Sequence, residues 1–144
     1  MAPPLILTTI AEETDPAFAA ARQQVLDWLD EHGRAAGVLF EARPFALSAG
    51  LDGRPAGGLI GSTNLGWLHV GLLAVAPEAR RAGVGRALLA AAEDLARGRG
   101  CHGAWLDTYD HQGPDYYPRL GWEMFGELPD FPKGGCRRFY RKAL

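Results

Sequence analysis

The sequence predicts a mixed α/β sheet folded as one domain over residues 1–144, and three observations carry that prediction. Residues 45–75 read as a run of short alternating segments joined by turns, the pattern of an antiparallel meander. After Val75 the apolar period changes from two to about 3.6, and at residues 103–109 it changes back. A strand, a crossing helix and a further strand imply a parallel pair with a right-handed connection.

Taken in order, residues 4–10 (PLILTTI) predict a strand from their Ile, Leu and Thr content. Asp15-Pro16 predicts a helix start, with Asp as N-cap and Pro at the first helical position. Phe18, Ala21, Val25 and Leu29 follow at helical spacing, and His32-Gly33 reads as the stop. Strands are expected over 45–50, 55–62 and 66–75, with turns at Asp52-Gly53 and Thr63-Asn64. Val84, Leu88, Leu89, Ala92 and Leu95 share one face of the next helix, and Arg86, Glu93 and Arg97 the other. Gly98 and Gly100 end it. A strand over 103–109, a short helical or turn segment around 114–120, and strands near 122–127 and 137–143 complete the chain. Trp28, Phe40, Phe45, Trp67 and Trp105 are expected to sit in the core or line a pocket. Arg137, Arg138, Arg141 and Lys142 read as a solvated basic edge.

Composition narrows the function classes. Lys and Arg number 15 against 17 Asp and Glu, a formal charge of −2, which argues against a partner held by bulk charge such as DNA or RNA. No apolar run approaches the roughly 20 residues of a membrane helix. The opening residues, MAPPLILTTIAEETD, lack the basic and long apolar regions of a signal peptide. Two cysteines, Cys101 and Cys136, make no disulfide framework and fit no CxxC pattern, so a cytoplasmic protein is expected. Cys101-His102 and His111 do not have zinc-ligand spacing, and no metal is expected.

The chemistry concentrates in residues 73–88, a strand, a loop with two glycines, and a helix. A helix start offers free N–H groups and a positive dipole end. Gly83 and Gly85 allow close approach to the backbone, and Arg80, Arg81 and Arg86 add charge, which together describe a phosphate cradle. A Walker loop would need Lys and Ser/Thr after the second glycine, and a dinucleotide fingerprint a third glycine; neither is present.

Arg80-Arg81-Ala82-Gly83-Val84-Gly85 matches [RQ]xxGx[GA], and Tyr116-Tyr117-Pro118-Arg119-Leu120-Gly121-Trp122 follows about thirty residues later in the manner of F-Y-x-x-L-G-[FY]. On these two motifs the chain resembles the GNAT N-acetyltransferases, closely over 60–144 and only in architecture over 1–59. The runs 106–112 and 126–132 resemble a bacterial subgroup whose substrates are poorly defined. The resemblance implies a mostly antiparallel sheet of about six or seven strands, helices on both faces, and a parallel strand pair splayed at the cofactor site. It implies acetyl-CoA as co-substrate, with its pyrophosphate on the backbone of Arg81, Ala82, Gly83, Val84, Gly85 and Arg86. The pantetheine arm would lie along Leu73, Ala74 and Val75, and Gln112 would stand in for an asparagine that many relatives use there. It implies acetyl transfer to a primary amine, of a small molecule or a protein, by direct transfer in a ternary complex. A homodimer is expected, because the late strands leave an edge that another chain could cover.

Tyr117 matches the family's general acid. Pro118 behind it is expected to hold Tyr117 out of the α region and to interrupt a short helix beginning near Pro114. Residues 66–75 carry no carboxylate, so His69 is the candidate base on that strand, with Asp107, Asp110 and His111 as alternatives acting through water. A backbone N–H of Leu73 or Ala74 would serve the oxyanion. Two other readings stand beside this one: a non-catalytic acyl-CoA-binding or sensor module of the same fold, and an unrelated nucleotide-phosphate binder.

Overall fold

Asp52 and Gly53 take left-handed backbone angles, φ 50° and 73°, the geometry of a tight hairpin turn between two twisted strands. That turn joins β1 (Arg43–Leu51) to β2 (Arg54–Asn64) in the computed structural model, which describes residues 1–113 and 115–144. The next turn falls at Leu65-Gly66, with φ 51° and 78°, and not at Thr63-Asn64. Thr63 and Asn64 are instead the last paired residues of β2, facing Leu68 and Trp67 of β3 (Trp67–Val75).

The sheet has six strands in the order β1-β2-β3-β4-β6-β5, where β4 is Gly103–Tyr109, β5 Glu123–Pro129 and β6 Cys136–Ala143. Every neighbouring pair is antiparallel except β3 and β4. β6 is therefore an interior strand, and the expectation of a solvated basic edge is corrected. Its cations are paired: Arg137 with Asp107 and Arg141 with Glu123 on the neighbouring strands, Arg138 with Glu127 of β5 and Asp110 just past β4, and Lys142 with Glu93 of the helix that precedes β4. The free edge on that side belongs to β5.

Between β3 and β4 runs α2 (Val84–Gly98), packed across β1, β2 and β3. Leu88, Leu89, Ala92 and Ala96 join Leu59, Leu68 and Leu106 in the core. Gly57 on β2 makes the close approach possible: a Cβ there would stand 2.8 Å from the Ala74 carbonyl and 3.0 Å from Val84 Cγ1. Glu93 is buried, against the expectation of a polar outer face, because Lys142 reaches it from β6 at 2.6 Å. The helix ends at Arg99, and Gly100 takes φ 82° while Cys101 N–H donates back to the Ala96 carbonyl.

Residues 1–40 form a separate compact unit from residues 41–144. In it α1 (Pro16–Ala35) starts as expected, with Asp15 accepting a hydrogen bond from Ala17 N–H. It runs past Gly33, which is buried because a Cβ there would press on the Phe40 ring at 2.8 Å. Gly37, at φ 75°, is the residue that reverses the chain, and Val38 N–H closes on the Gly33 carbonyl. Residues 4–10 form no strand. A strand exists through its ladder, and no described residue pairs with this segment, so β-propensity alone does not order it. Trp28 stands exposed on α1, whereas Phe45 packs on the core. No helix among the described residues is long and apolar enough to cross a membrane.

Candidate active site

β3 and β4 pair only from Trp67–Val70 to Gly103–Leu106. Beyond Val70, β3 stays on β2 as far as Val75, while β4 stays on β6 as far as Tyr109. A register shift on β2 between Ile60 and Gly61 leaves Gly71 of β3 as an extra residue at the point where the parallel ladder stops. Such a bulge bends and twists its strand. The result is a wedge that opens between two parallel strands, with the backbone edge of residues 71–75 free of β4. Ligands in open sheets bind at such openings, outside the carboxyl ends of the strands.

The chain leaves that edge directly into the loop. A single 3-10 turn at Pro77–Ala79 is followed by Arg80, then Arg81 at φ 67° and Gly83 at φ 78°. Gly83 is the N-cap of α2 and offers no side chain to the helix start. The first backbone bond into the helix is donated by Ala87 to the Gly83 carbonyl, which leaves the N–H groups of Val84, Gly85 and Arg86 for another acceptor. A Cβ on Gly83 would meet nothing within 4 Å, so its role is the left-handed turn. Gly85 is different: a Cβ there would lie 2.8 Å from Tyr116 Oη.

Tyr116 and Tyr117 meet edge to face at 5.4 Å, and Tyr116 Oη beside Gly85 brings the late motif against the start of α2. Tyr117 is also in contact with Trp122 and Tyr140 and is 9% exposed. Burial pushes its phenol up to about 12, with Tyr116, Asp107 and Tyr140 adding to the effect. The expectation about Pro118 is corrected. Tyr117 lies in the α region at φ −68°, ψ −41°, and Pro118 opens a 3-10 turn, Pro118–Leu120, rather than breaking a helix. A proline at a first helical position forfeits no bond, and that overrides the usual preference of the preceding residue. The other part of that expectation, a helix start at Pro114, lies outside the described residues.

His69 projects from β3 within the paired stretch and stacks on Trp105 at 3.9 Å. Ser62, Asn64, Leu65 and Trp67 complete a cavity of about 360 Å³ around that stack. Burial holds the His69 imidazole below its ordinary value, opposed by Asp107, so it is neutral at physiological pH. Asp107 thus acts on both His69 and Tyr117, while Arg137 holds its carboxylate at 2.6 Å. Asp110 is tied to Arg138, and His111 lies against the Tyr109 ring. The side-chain oxygen of Gln112 accepts from Tyr109 N–H at 3.0 Å, capping the turn that ends β4. No cluster of metal-ligating side chains occurs among the described residues.

Gly85, Val75, Tyr116 and Tyr117 are therefore neighbours, and His69 lies at the apex side of the wedge. The bulge at Gly71, the approach through Gly57 and the Glu93–Lys142 pair were not predicted. Gly57 and Gly71 themselves carry the hint of the first two, since glycines within strands mark bulges and close approaches.

Residues 7–122 match the profile of the acetyltransferase (GNAT) family. Blasticidin-S acetyltransferase of Streptomyces morookaense is 38% identical over 143 residues, covering 96% of each chain. The crystal structure of an acetyltransferase from Bacillus cereus superposes with a TM-score of 0.78 at 25% identity, covering 95% of this chain and 98% of that one. A nourseothricin acetyltransferase structure matches with a TM-score of 0.62 at 30% identity, covering 71% of this chain and 65% of that one.

Proposed function

The chain belongs to the GNAT acetyltransferase family and is an N-acetyltransferase; from that premise we propose that it moves the acetyl group of acetyl-CoA to the primary amine of a small molecule, directly, in a ternary complex. The observation that carries the reading is the wedge, whose free edge at 71–75 runs straight into the unfilled amides of Val84–Arg86. The fit to a CoA diphosphate is chemical: left-handed turns at Arg81 and Gly83, free N–H groups, a helix dipole, and three arginines. Leu73, Ala74 and Val75 would pair with the pantetheine amides as an added strand. The relative that acts on blasticidin S supports a small-molecule acceptor over a protein one. Cys101 and Cys136 are free and buried, which fits the reducing cytoplasm of this reading.

In the reaction the neutral amine attacks the thioester carbonyl carbon, the carbon–sulfur bond breaks, and the acetyl group stays on nitrogen. A backbone N–H of Leu73 or Ala74 steadies the developing oxyanion. Tyr117 Oη, which makes no hydrogen bond within the described protein, faces the departing sulfur and hands it a proton. The proton lost by nitrogen restores the phenol. When the amine enters charged, its extra proton leaves first, through water to His69, which is neutral through burial. The test is release of free CoA thiol from acetyl-CoA with a panel of amines, blasticidin S among them. Turnover with at least one amine is expected. CoA binding with no turnover on any amine would make the chain an acyl-CoA-binding module instead.

A further inference from the structure

Tyr116 carries a hydroxyl that its ring packing does not require, since a phenylalanine would meet Tyr117 edge to face equally well. That hydroxyl lies over the first turn of α2. A Cβ on Gly85 would stand 2.8 Å from Tyr116 Oη and 3.5 Å from Val75 Cγ2, so the hydroxyl takes the space that a side chain at position 85 would need. It has no hydrogen-bond partner among the described residues. The N–H groups of Val84, Gly85 and Arg86, in the same first turn, have no acceptor within the helix. Arg86 opposes the effect of burial on the phenol, which nevertheless stays a protonated donor at neutral pH.

We infer that Tyr116 is a CoA-binding residue: its hydroxyl donates to a phosphate oxygen of the CoA diphosphate, and position 85 is glycine because that hydroxyl fills the space of its Cβ. The inference rests on the reading of residues 80–86 as the CoA site. Its content is that the cradle is built from two segments, one preceding α2 and one following β4, so that diphosphate binding also fixes the Tyr116–Tyr117 pair. The phenol supplies a directed neutral donor among backbone amides and arginine charges.

The experiment is calorimetric titration of CoA into the wild-type chain, Tyr116→Phe, Gly85→Ala and the double variant. Tyr116→Phe keeps the ring and its packing. It is expected to weaken CoA about ten-fold or more, the usual cost of losing a hydrogen bond to a charged group. Gly85→Ala should weaken CoA in the wild-type background, because the new methyl displaces the hydroxyl. In the Tyr116→Phe background the nearest ring atom is Cζ at 3.6 Å, an ordinary contact, so Gly85→Ala should there add little. Equal CoA affinity for the wild type and Tyr116→Phe, or fully additive losses in the double variant, would overturn the inference and leave the loop reading intact. A wild type that does not bind CoA would overturn the loop reading itself. Steady-state rates add a separate readout: the acetyl-CoA KM should rise in Tyr116→Phe.

Discussion

Replacing Tyr117 by Phe removes one oxygen from a buried aromatic cluster, and the structure sets the size of the effect. The phenol is pushed up to about 12, while an ordinary thiol titrates near 8.5. Full proton transfer from phenol to thiolate is then uphill by about 3.5 units, or about 5 kcal/mol. The hydroxyl therefore acts chiefly as a hydrogen-bond donor to the charged sulfur, and its proton moves only as nitrogen releases its own. A hydrogen bond to a charged group contributes about 1.5–3 kcal/mol, which corresponds to about a 10- to 150-fold fall in kcat. The ring and its contacts with Tyr116, Trp122 and Tyr140 remain, so acetyl-CoA affinity should stay within about two-fold. The assay is stopped-flow or steady-state thiol release from pH 6 to pH 10, with CoA binding measured in parallel. The phenol stays protonated across that range, so the wild-type rate should show no alkaline decline owed to Tyr117. Unchanged kcat, or a loss confined to acetyl-CoA affinity, would refute the role. An alkaline limb near pH 8–9 that disappears in Tyr117→Phe would refute the elevated phenol.

The other predictions concern the loop, the helix anchor, the stacked histidine and the sheet edge. Arg81→Gly removes a non-glycine residue from φ 67°, a strain of about 1–2 kcal/mol offset by glycine's entropy; thermal unfolding should shift little while CoA affinity in calorimetry falls. Lys142→Met leaves Glu93 with an uncompensated buried charge and should destabilise the fold by about 3–5 kcal/mol in urea titration, with Glu93→Gln in the same chain restoring part of the loss. Burial lowers the His69 pKa, so the unfolded chain binds its proton first as pH falls; His69 should cost stability as pH drops through its unfolded value of about 6.5, and His69→Phe should flatten that acid slope in chemical denaturation. β5 presents Met124, Phe125 and Leu128 at an open edge, so light scattering should report a dimer, and Phe125→Lys a monomer.

Local chemistry made most of the sheet and the loop legible in advance. Asp52-Gly53 announces its hairpin because both residues tolerate positive φ, and Asp15-Pro16 announces a helix because each satisfies a helix start. Leu65-Gly66 escaped because leucine carries no turn preference; the strand pairing on either side forces it there. Gly33 looked like a stop, yet it lies inside α1 because Phe40 packs on it, which no periodicity reveals. Glu93 read as solvated because its partner Lys142 is 49 positions away, and β6 read as an edge because strand order is set by long-range pairing. The glycine loop and the late tyrosines were visible as motifs. Their contact, through Tyr116 Oη and Gly85, depends on how two distant segments meet.

The central claim is that CoA enters the wedge between β3 and β4 with its diphosphate on the start of α2. Titrating CoA into the nitrogen-15-labelled chain and following backbone amide shifts tests it most directly. The account predicts saturating shifts at Gly83, Val84, Gly85 and Arg86, with a second group at residues 71–75. Saturating shifts confined to other segments, with residues 71–75 and 83–86 unmoved, would contradict it.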